Sequence, residues 1–174
     1  KVAIEDAREN IAKMLGAEPS EIIFTSGGTE SDNAIIKGVI AGTGKKEVIS
    51  SPIEHHAVLH PAEAVEAEGA TIKYLQPNEE GIISAKQVAE AISGETALVS
   101  LMHVNNEIGS MNPIQEIAAV CSEKGVTFHS DTVQSVGKFP VNVKEIGLDA
   151  LSVSAHKIYG PKGIGVLYVK NGTP

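Results

Sequence analysis

The sequence is poor in the residues that mark membrane, extracellular and nucleic-acid-binding proteins. Its 174 residues include no tryptophan, 3% aromatic residues and a single cysteine, Cys121. No apolar run approaches the roughly 20 residues of a membrane-spanning helix, and the first residues lack the pattern of a signal peptide. One cysteine forms no internal disulfide, which fits a reducing compartment, so we expect a cytoplasmic protein without a membrane partner.

Basic residues are outnumbered by acidic ones. The chain has 14 Lys and Arg against 22 Asp and Glu, a formal net charge of -8. Nucleic-acid binding needs clustered basic side chains for phosphates and aromatic rings for base stacking. We therefore expect no nucleic-acid partner.

The length and the 42% hydrophobic content suffice for one domain with a sizeable core. The chain begins at Lys1 rather than at a methionine and ends at "VKNGTP" without an obvious closing element. We therefore expect residues 1–174 to be a single domain that is an incomplete part of a longer protein.

Short apolar segments alternate with amphipathic ones along the chain. In residues 2–15, Ile4, Ala7, Ile11 and Leu15 share a helical stripe. Further helices are predicted after the glycines at 27–28, near 55–68, at 84–92, from Pro113 and at 143–147. Strands are predicted at 21–25, 47–51, 71–75, 96–101, 126–130, 150–154 and 164–169. This alternation predicts an α/β fold with a mainly parallel sheet, whose last strand forms a hairpin with the strand before it.

Polar residues follow five of the predicted strands. Parallel strands bring their carboxyl ends to one edge of the sheet, where α/β proteins bind ligands. We therefore expect one site at that edge. The residues concerned are Gly27, Gly28, Thr29, His55, Asn105, Asn106, Asp131, Gln134, His156 and Lys157.

The segment "TSGGTES" joins a strand to a helix through two glycines. Backbone N–H groups at a helix N-terminus, with Thr or Ser hydroxyls, can bind a phosphate. The alternative is that Thr29 or Ser31 only caps the helix, which is the commoner use of such residues. The segment matches neither the Walker A loop nor the G-x-G-x-x-G motif.

Asp131 and His55 suit other parts of a ligand. A carboxylate at a strand end can hold a positive charge such as a protonated ring nitrogen, although it can also cap a turn. His55 stands at a strand-to-helix junction, where it could stack on a planar ligand or move a proton. His56 and His60 could share a helical face, but no third ligand accompanies them, so we expect no metal site.

Lys157 follows an apolar strand, where a charge is unexpected. An ordinary lysine has a pKa of about 10.4, so roughly 1 in 2,500 molecules is neutral at pH 7. In a partly desolvated site, or near a protonated His156, the amine could form a Schiff base with an aldehyde. An aldehyde, a phosphate and a protonated ring nitrogen occur together in pyridoxal phosphate. Cys121 lies inside a predicted helix and is interpreted as a buried structural thiol.

Five motifs in order, covering almost the whole chain, resemble the cysteine desulfurases of the NifS/IscS type among the fold-type I pyridoxal phosphate enzymes. They are "FTSGGTESDNAI", "EHHAVL", "VNNEIGSMNPI", "HSDTVQSVGKFPV" and "SAHKIYGPKGIGVLYV". The resemblance implies a three-layer α/β fold, the large cofactor-binding domain of these transferases. It also implies that an N-terminal segment and a C-terminal small domain are absent.

The resemblance implies a role for each site residue. Lys157 resembles the lysine that bonds to the cofactor and moves the proton at the α-carbon of the substrate. His55 resembles the histidine that stacks on the ring and assists proton transfer, and Asp131 the partner of the ring nitrogen. Gln134 resembles the contact to the phenolic oxygen, and Asn106 a hydrogen-bonding residue of cofactor and substrate. The residues that resemble the phosphate ligands are Gly28, Thr29, Ser154 and His156.

The implied reaction converts L-cysteine to L-alanine and leaves the sulfur as a persulfide on a cysteine of the enzyme. The implied partners are a second copy in a homodimer and an iron–sulfur scaffold or another sulfur acceptor. Cys121 does not match the motif of the nucleophile, which lies beyond residue 174 in the family, so the chain alone is expected to be inactive. Two alternatives stay open: a selenocysteine lyase or related pyridoxal phosphate lyase or aminotransferase, and a non-catalytic binding or scaffold protein of the same fold.

Overall fold

The computed structural model describes all residues 1–174 as an α/β fold built on one seven-stranded sheet. The strands are β1 Ile22–Thr25, β2 Glu47–Ser50, β3 Thr71–Tyr74, β4 Thr96–Ser100, β5 Thr127–Asp131, β6 Ala150–Ser154 and β7 Gly165–Val169. The helices are α1 Val2–Leu15, α2 Gly28–Thr43, α3 His56–Ala67, α4 Ala85–Ala91, α5 Ile114–Glu123 and α6 Val143–Ile146. Short 3-10 helices cover Pro19–Glu21 and Ala155–Ile158.

The sheet is mainly parallel, as predicted. Its strand order is β1-β7-β6-β5-β4-β2-β3. Strands β3, β2, β4, β5 and β6 pair in parallel, whereas β7 pairs antiparallel with both β6 and β1. The predicted hairpin between the last two strands is therefore confirmed. The carboxyl ends of six strands meet at one edge of the sheet, which is where the ligand site is expected.

Helices cover both faces of the sheet and make the three layers. On one face α2 and α3 pack against β4, β6 and β7 around an apolar cluster that includes Ile36, Val39 and Val58. On the other face α1, α4 and α5 enclose a larger cluster that includes Phe128 and Ile117. Strands that are buried on both faces explain the nearly continuous apolar runs in the sequence.

Strand β5 shows how alternation along a strand positions polar groups. Successive side chains of a strand point to opposite faces. Phe128 packs in the cluster around α5, whereas His129 and Asp131 lie on the α2 face, close to Asp32 of that helix. The α2 face of β5 therefore carries His129 and Asp131, whereas Phe128 and Ser130 point to the other face.

No helix of the chain is both long and apolar enough to cross a membrane.

Candidate functional site

A cavity of about 170 Å³ opens at the carboxyl edge of the sheet. Its walls come from the first turn of α2, the start of α3, the segment after β4, the end of β5 and the segment after β6. All nine site residues predicted from the sequence line this one cavity. They are Gly28, Thr29, His55, Asn106, Asp131, Gln134, Ser154, His156 and Lys157.

The N-terminus of α2 carries no side-chain cap. Gly27 is the N-cap residue, and the hydroxyl groups of Thr25 and Ser31 hydrogen-bond to each other at 2.9 Å and to the Gly27 carbonyl oxygen. The interpretation of Thr29 or Ser31 as a simple cap is therefore wrong. The N–H groups of the first turn keep no side-chain acceptor, so this end of the helix can bind an anion in the cavity.

Two glycines allow the backbone around the α2 N-terminus to pack closely. A Cβ atom on Gly165 of β7 would lie 2.5 Å from the Gly27 Cα atom. A Cβ atom on Gly28 would lie 2.8 Å from Cγ2 of Val133. Side chains at these positions would push α2 away from the sheet, and the anion-binding end of the helix would move with it.

Ser154 and His156 add polar groups beside the N-terminus of α2. Ser154 ends β6 and is buried, and its Oγ lies 2.8 Å from Nδ1 of His156. The hydroxyl and the imidazole thus orient each other next to Gly28 and Thr29. A helix N-terminus, hydroxyls and an imidazole form a donor set that suits a phosphate.

Asp131 is buried at the end of β5, with 7% of its surface exposed. Its Oδ1 accepts a hydrogen bond from the Val133 N–H at 2.9 Å. Asp131 therefore does cap the turn, as in the alternative given above, but with only one of its two oxygens. Burial and the nearby Asp32 raise the pKa of the Asp131 carboxyl to about 7. A buried carboxylate of this kind is stabilised by a cation, so the residue fits a protonated ring nitrogen.

His55 has a structural task as well as a place in the cavity. It is the N-cap residue of α3, and its Nδ1 accepts the Ala57 N–H at 3.0 Å. This hydrogen bond fixes the orientation of the ring and leaves Nε2 as the nitrogen that can carry the proton of a neutral imidazole. The ring is exposed on the cavity side of the helix.

The remaining predicted residues lie on the open side of the cavity. Lys157 is exposed in the 3-10 helix after β6, so the partly desolvated amine expected from the sequence is not found within these 174 residues. Gln134 is half-buried and accepts a hydrogen bond from Lys138 at 2.9 Å. Asn106 is exposed, whereas the neighbouring Asn105 is buried and hydrogen-bonds to the Ile53 carbonyl oxygen outside the cavity.

Two buried carboxylates near the cavity were not predicted from the sequence. Asp32 lies one turn into α2 among buried positions of that helix, and it lines the cavity. Glu54 precedes His55, and both of its oxygens accept the Met102 N–H at 3.0 Å. Its burial raises the pKa of the Glu54 carboxyl well above the usual range. An acidic residue on the apolar face of a helix was the available signal for Asp32, whereas the loop around Glu54 gave none.

The other candidates of the sequence lie away from this chemistry. Cys121 is buried in the cluster around α5, on the opposite face of the sheet from α2, and burial raises the pKa of its thiol to about 12. The interpretation of Cys121 as a buried thiol is confirmed. The exposed His56 and His60 rings stack at 4.9 Å on α3, and the chain holds no group of three or more potential metal-ligating side chains.

Comparison with known proteins assigns this fold to a family. The family model described as aminotransferase class-V matches residues 1–173. The chain is 52% identical to the cysteine desulfurase IscS of Dictyoglomus turgidum, covering 99% of this chain and 44% of that protein. It is 49% identical to the mitochondrial cysteine desulfurase of Drosophila melanogaster, covering 97% of this chain and 37% of that protein. The chain thus spans less than half the length of these relatives.

Solved structures agree with the sequence comparison. A structure described as SspA in complex with cysteine superimposes with a TM-score of 0.95 at 47% identity, covering 97% of this chain and 49% of that one. A NifS-like protein superimposes with a TM-score of 0.96 at 38% identity, covering 99% of this chain and 48% of that one. The predicted fold, that of the fold-type I pyridoxal phosphate enzymes, is confirmed. The chain belongs to the class-V aminotransferase family, whose members depend on pyridoxal phosphate.

Proposed function

We propose that this chain is the cofactor-binding domain of a pyridoxal phosphate-dependent cysteine desulfurase. The observation that carries the proposal is the convergence of nine predicted residues from five separate segments on one cavity. The proposed domain spans residues 1–174, and the remaining parts of the enzyme, a small domain among them, lie outside it. The lengths of the relatives, of which this chain covers 44% and 37%, support that division.

The donor groups of the cavity fit the parts of pyridoxal phosphate. The N-terminus of α2, with Gly28 and Thr29, would hold the phosphate together with Ser154 and His156. Asp131 would hold the ring nitrogen, Gln134 the phenolic oxygen and Lys157 the aldehyde carbon. His55 would lie against the ring, with Asn106 beside it on the open side.

The residues of the chain divide the chemistry among them. When bound, pyridoxal phosphate supplies an electron sink that stabilises negative charge at the α-carbon of an amino acid. The carboxylate of Asp131 would keep a proton on the ring nitrogen, which would strengthen that sink. Lys157 takes the proton from the α-carbon, and His55, whose Nδ1 is engaged by Ala57, can hold a proton at Nε2.

L-cysteine is the proposed substrate. The SspA structure, 47% identical to this chain, is in complex with cysteine. The sulfur would leave as a persulfide on a cysteine outside residues 1–174, because the Cys121 thiol is buried and 1% exposed. L-alanine is the second product.

The proposed partners are a second copy of the protein and a sulfur acceptor, for which an iron–sulfur scaffold is the candidate that the IscS relatives suggest. Exposed apolar side chains near the cavity, Ile108 and Tyr159, support a homodimer that covers its open side. We propose a cytoplasmic location on the basis of the single unpaired cysteine, although the eukaryotic relatives are mitochondrial.

An absorption spectrum after addition of pyridoxal phosphate to the complete protein tests this function. We expect a visible band from cofactor bonded to lysine, and its loss in Lys157→Ala. Lys162→Ala is the matched control, because Lys162 is an exposed lysine of the same β6–β7 connection and lies outside the cavity. Release of alanine from L-cysteine should follow the same pattern. A folded wild-type protein without a lysine-dependent band would contradict the proposal.

A further inference from the structure

Behind Asp131 lies a buried polar cluster that the proposed function does not use. Asp32 of α2 is 1% exposed at its side chain, and His129 of β5 is completely buried. Nε2 of His129 lies 3.4 Å from Oδ1 of Asp32, within the distance of an ion pair. The contact is not aligned as a hydrogen bond, and both carboxylate oxygens of Asp32 lack a hydrogen-bond partner. A buried carboxylate without hydrogen bonds is energetically costly, so its presence here points to a functional role.

The histidine of this cluster is held on both sides by serine hydroxyls. Its Nδ1 lies 2.9 Å from the Ser100 Oγ on β4, and its Nε2 lies 3.0 Å from the Ser152 Oγ on β6. The ring therefore has a fixed orientation within the sheet, and Nε2 is the nitrogen that faces Asp32. Three adjacent strands contribute to this orientation, which indicates a specific arrangement rather than a chance burial.

The cluster is adjacent to the carboxylate that would hold the ring nitrogen. His129 and Asp131 are two residues apart on β5 and therefore lie on the same face of the sheet. Asp32 also lines the cavity together with Asp131. The negative charge of Asp32 contributes, after burial, to the raised pKa of the Asp131 carboxyl. The charges of the two aspartates are thus linked across the α2–β5 contact.

We propose that Asp32 and His129 are positioning residues that form a second layer behind Asp131. They adjust how strongly the Asp131 carboxylate stabilises a cationic ring nitrogen. This inference rests on the proposed function for the identity of that ring. Asp32 makes Asp131 a better acceptor for a proton on the ring nitrogen, because two buried carboxylates favour a shared positive charge. His129 moderates this effect through its contact with Asp32, and the two serines keep the imidazole in place.

The proposal predicts shifts of opposite sign for two variants. Asp32→Asn removes a negative charge, so Asp131 should ionise at a lower pH than in the wild type. His129→Gln removes the imidazole that moderates Asp32, so Asp131 should ionise at a higher pH. A loss of packing alone would admit water in both variants and shift both toward the behaviour of an ordinary aspartate.

The first measurement uses the complete protein without cofactor. With aspartate labelled at the carboxyl carbon, NMR follows the titration of Asp131, which the spectrum of Asp131→Asn assigns. The other titratable groups at this edge of the sheet are unchanged in both variants. They are Glu54, His55, His103, His156 and Lys157. Shifts of the midpoint in opposite directions support the proposal, whereas no shift or shifts in the same direction overturn it.

The second measurement uses the complete protein with pyridoxal phosphate labelled with ¹⁵N at its ring nitrogen. The pH at which the ring nitrogen loses its proton should fall in Asp32→Asn and rise in His129→Gln. Glu47→Gln is the matched control, because Glu47 is a buried carboxylate at the amino end of β2, whereas the cavity lies at the carboxyl edge of the sheet. An unchanged ring-nitrogen signal in both variants contradicts the second layer.

The two measurements separate this inference from the proposed function. If the wild type binds no cofactor, the proposed function fails, yet the titration of Asp131 still decides whether Asp32 and His129 act on it. If either variant does not fold, Ser152→Ala replaces it, because it keeps the Asp32 carboxylate and the His129 imidazole. Without this hydroxyl, Nε2 of His129 has only Asp32 as a partner, so the Asp131 midpoint should fall. An unchanged midpoint in a folded Ser152→Ala protein overturns the proposal.

Discussion

The backbone N–H of Val133 donates a hydrogen bond of 2.9 Å to Oδ1 of Asp131, so the turn after β5 fixes the carboxylate that faces the cavity. The same carboxylate is buried, and burial and the neighbouring Asp32 raise its pKa to about 7. One residue is therefore well oriented and, in the absence of a cation, costly to ionise. This combination gives a measurable dependence of stability on pH.

We expect the cofactor-free protein to lose stability through Asp131 as the pH rises. The unfolded chain releases this proton near pH 4, whereas the folded chain keeps it to about pH 7. The unfolded state therefore binds fewer protons than the folded state between these pH values, so the free energy of unfolding decreases as the pH rises. Asp131→Asn keeps the oxygen that accepts the hydrogen bond from Val133. As the pH rises from 5 to 8, the stability of this variant relative to the wild type should increase by about 2–3 kcal/mol.

Urea denaturation of both proteins at several pH values measures this difference. Above pH 7 the difference should level off, because both states of the wild type are then ionised. A constant difference between the two proteins from pH 5 to 8 would show that Asp131 ionises normally in the folded state.

Two glycines of α2 give opposite results when replaced by alanine. A Cβ atom on Gly28 would meet Val133 at 2.8 Å, whereas nothing lies within 4 Å of a Cβ atom on Gly38. Gly38→Ala should stabilise the protein by about 0.5–1 kcal/mol through helix propensity. Gly28→Ala should destabilise it by about 1–3 kcal/mol and weaken the binding of pyridoxal phosphate at least about tenfold, because the helix N-terminus moves.

Thermal unfolding and titration with pyridoxal phosphate distinguish these effects. Gly38→Ala serves as the control, since it changes the same residue type in the same helix far from the cavity. Equal cofactor affinity in Gly28→Ala and Gly38→Ala would argue against a phosphate at the first turn of α2.

The order of helices and strands could be predicted from the sequence because each element carries its own pattern. Strand β6 has the predicted bounds, β5 is shifted by one residue at both ends, and the other strands differ from the prediction by one residue at one end. The hairpin of β6 and β7 followed from the Gly and Pro residues between two apolar runs. The common edge of the site followed from topology, because parallel strands align their carboxyl ends.

The second layer behind Asp131 could not be predicted in the same way. Asp32 and His129 are nearly 100 positions apart in the chain, and their contact depends on how α2 crosses β5. The exposure of Lys157 was also unpredictable, because the apolar run before it belongs to β6 and ends at Ser154. Local patterns determine elements, whereas such contacts depend on tertiary packing.

Two substitutions at His55 separate its role in stability from its role in the cavity. Its Nδ1 accepts the Ala57 N–H at the start of α3, and asparagine is also a good N-cap residue. His55→Asn should therefore retain most of the stability and lose the ring that faces the cavity. His55→Ala should lose the ring as well and about 0.5–2 kcal/mol of stability.

The free energy of unfolding and the rate of alanine release in the complete protein test both roles. We expect activity to fall in both variants and stability to fall mainly in His55→Ala. Full activity in His55→Asn would show that capping is the only task of this histidine.

Cys121 should be inert in the folded protein and should take no part in sulfur transfer. Its thiol is 1% exposed, and burial, followed by the charge of Asp149, raises its pKa to about 12. Only the thiolate reacts with alkylating reagents, so iodoacetamide should modify Cys121 in urea and not under native conditions. Peptide mass spectrometry locates the label even when the complete protein contains other cysteines.

Cys121→Ala provides the functional half of this test. The substitution removes one buried sulfur from the cluster around α5, so it should cost about 1 kcal/mol of stability and leave alanine release from L-cysteine unchanged. Persulfide sulfur should then be found on peptides other than the one that contains residue 121. A persulfide at Cys121 in the native wild type, or loss of activity in a stable Cys121→Ala protein, would require the sulfur to reach the α5 face of the sheet. The buried position of the thiol, on the face opposite to α2, makes that route physically unfavourable.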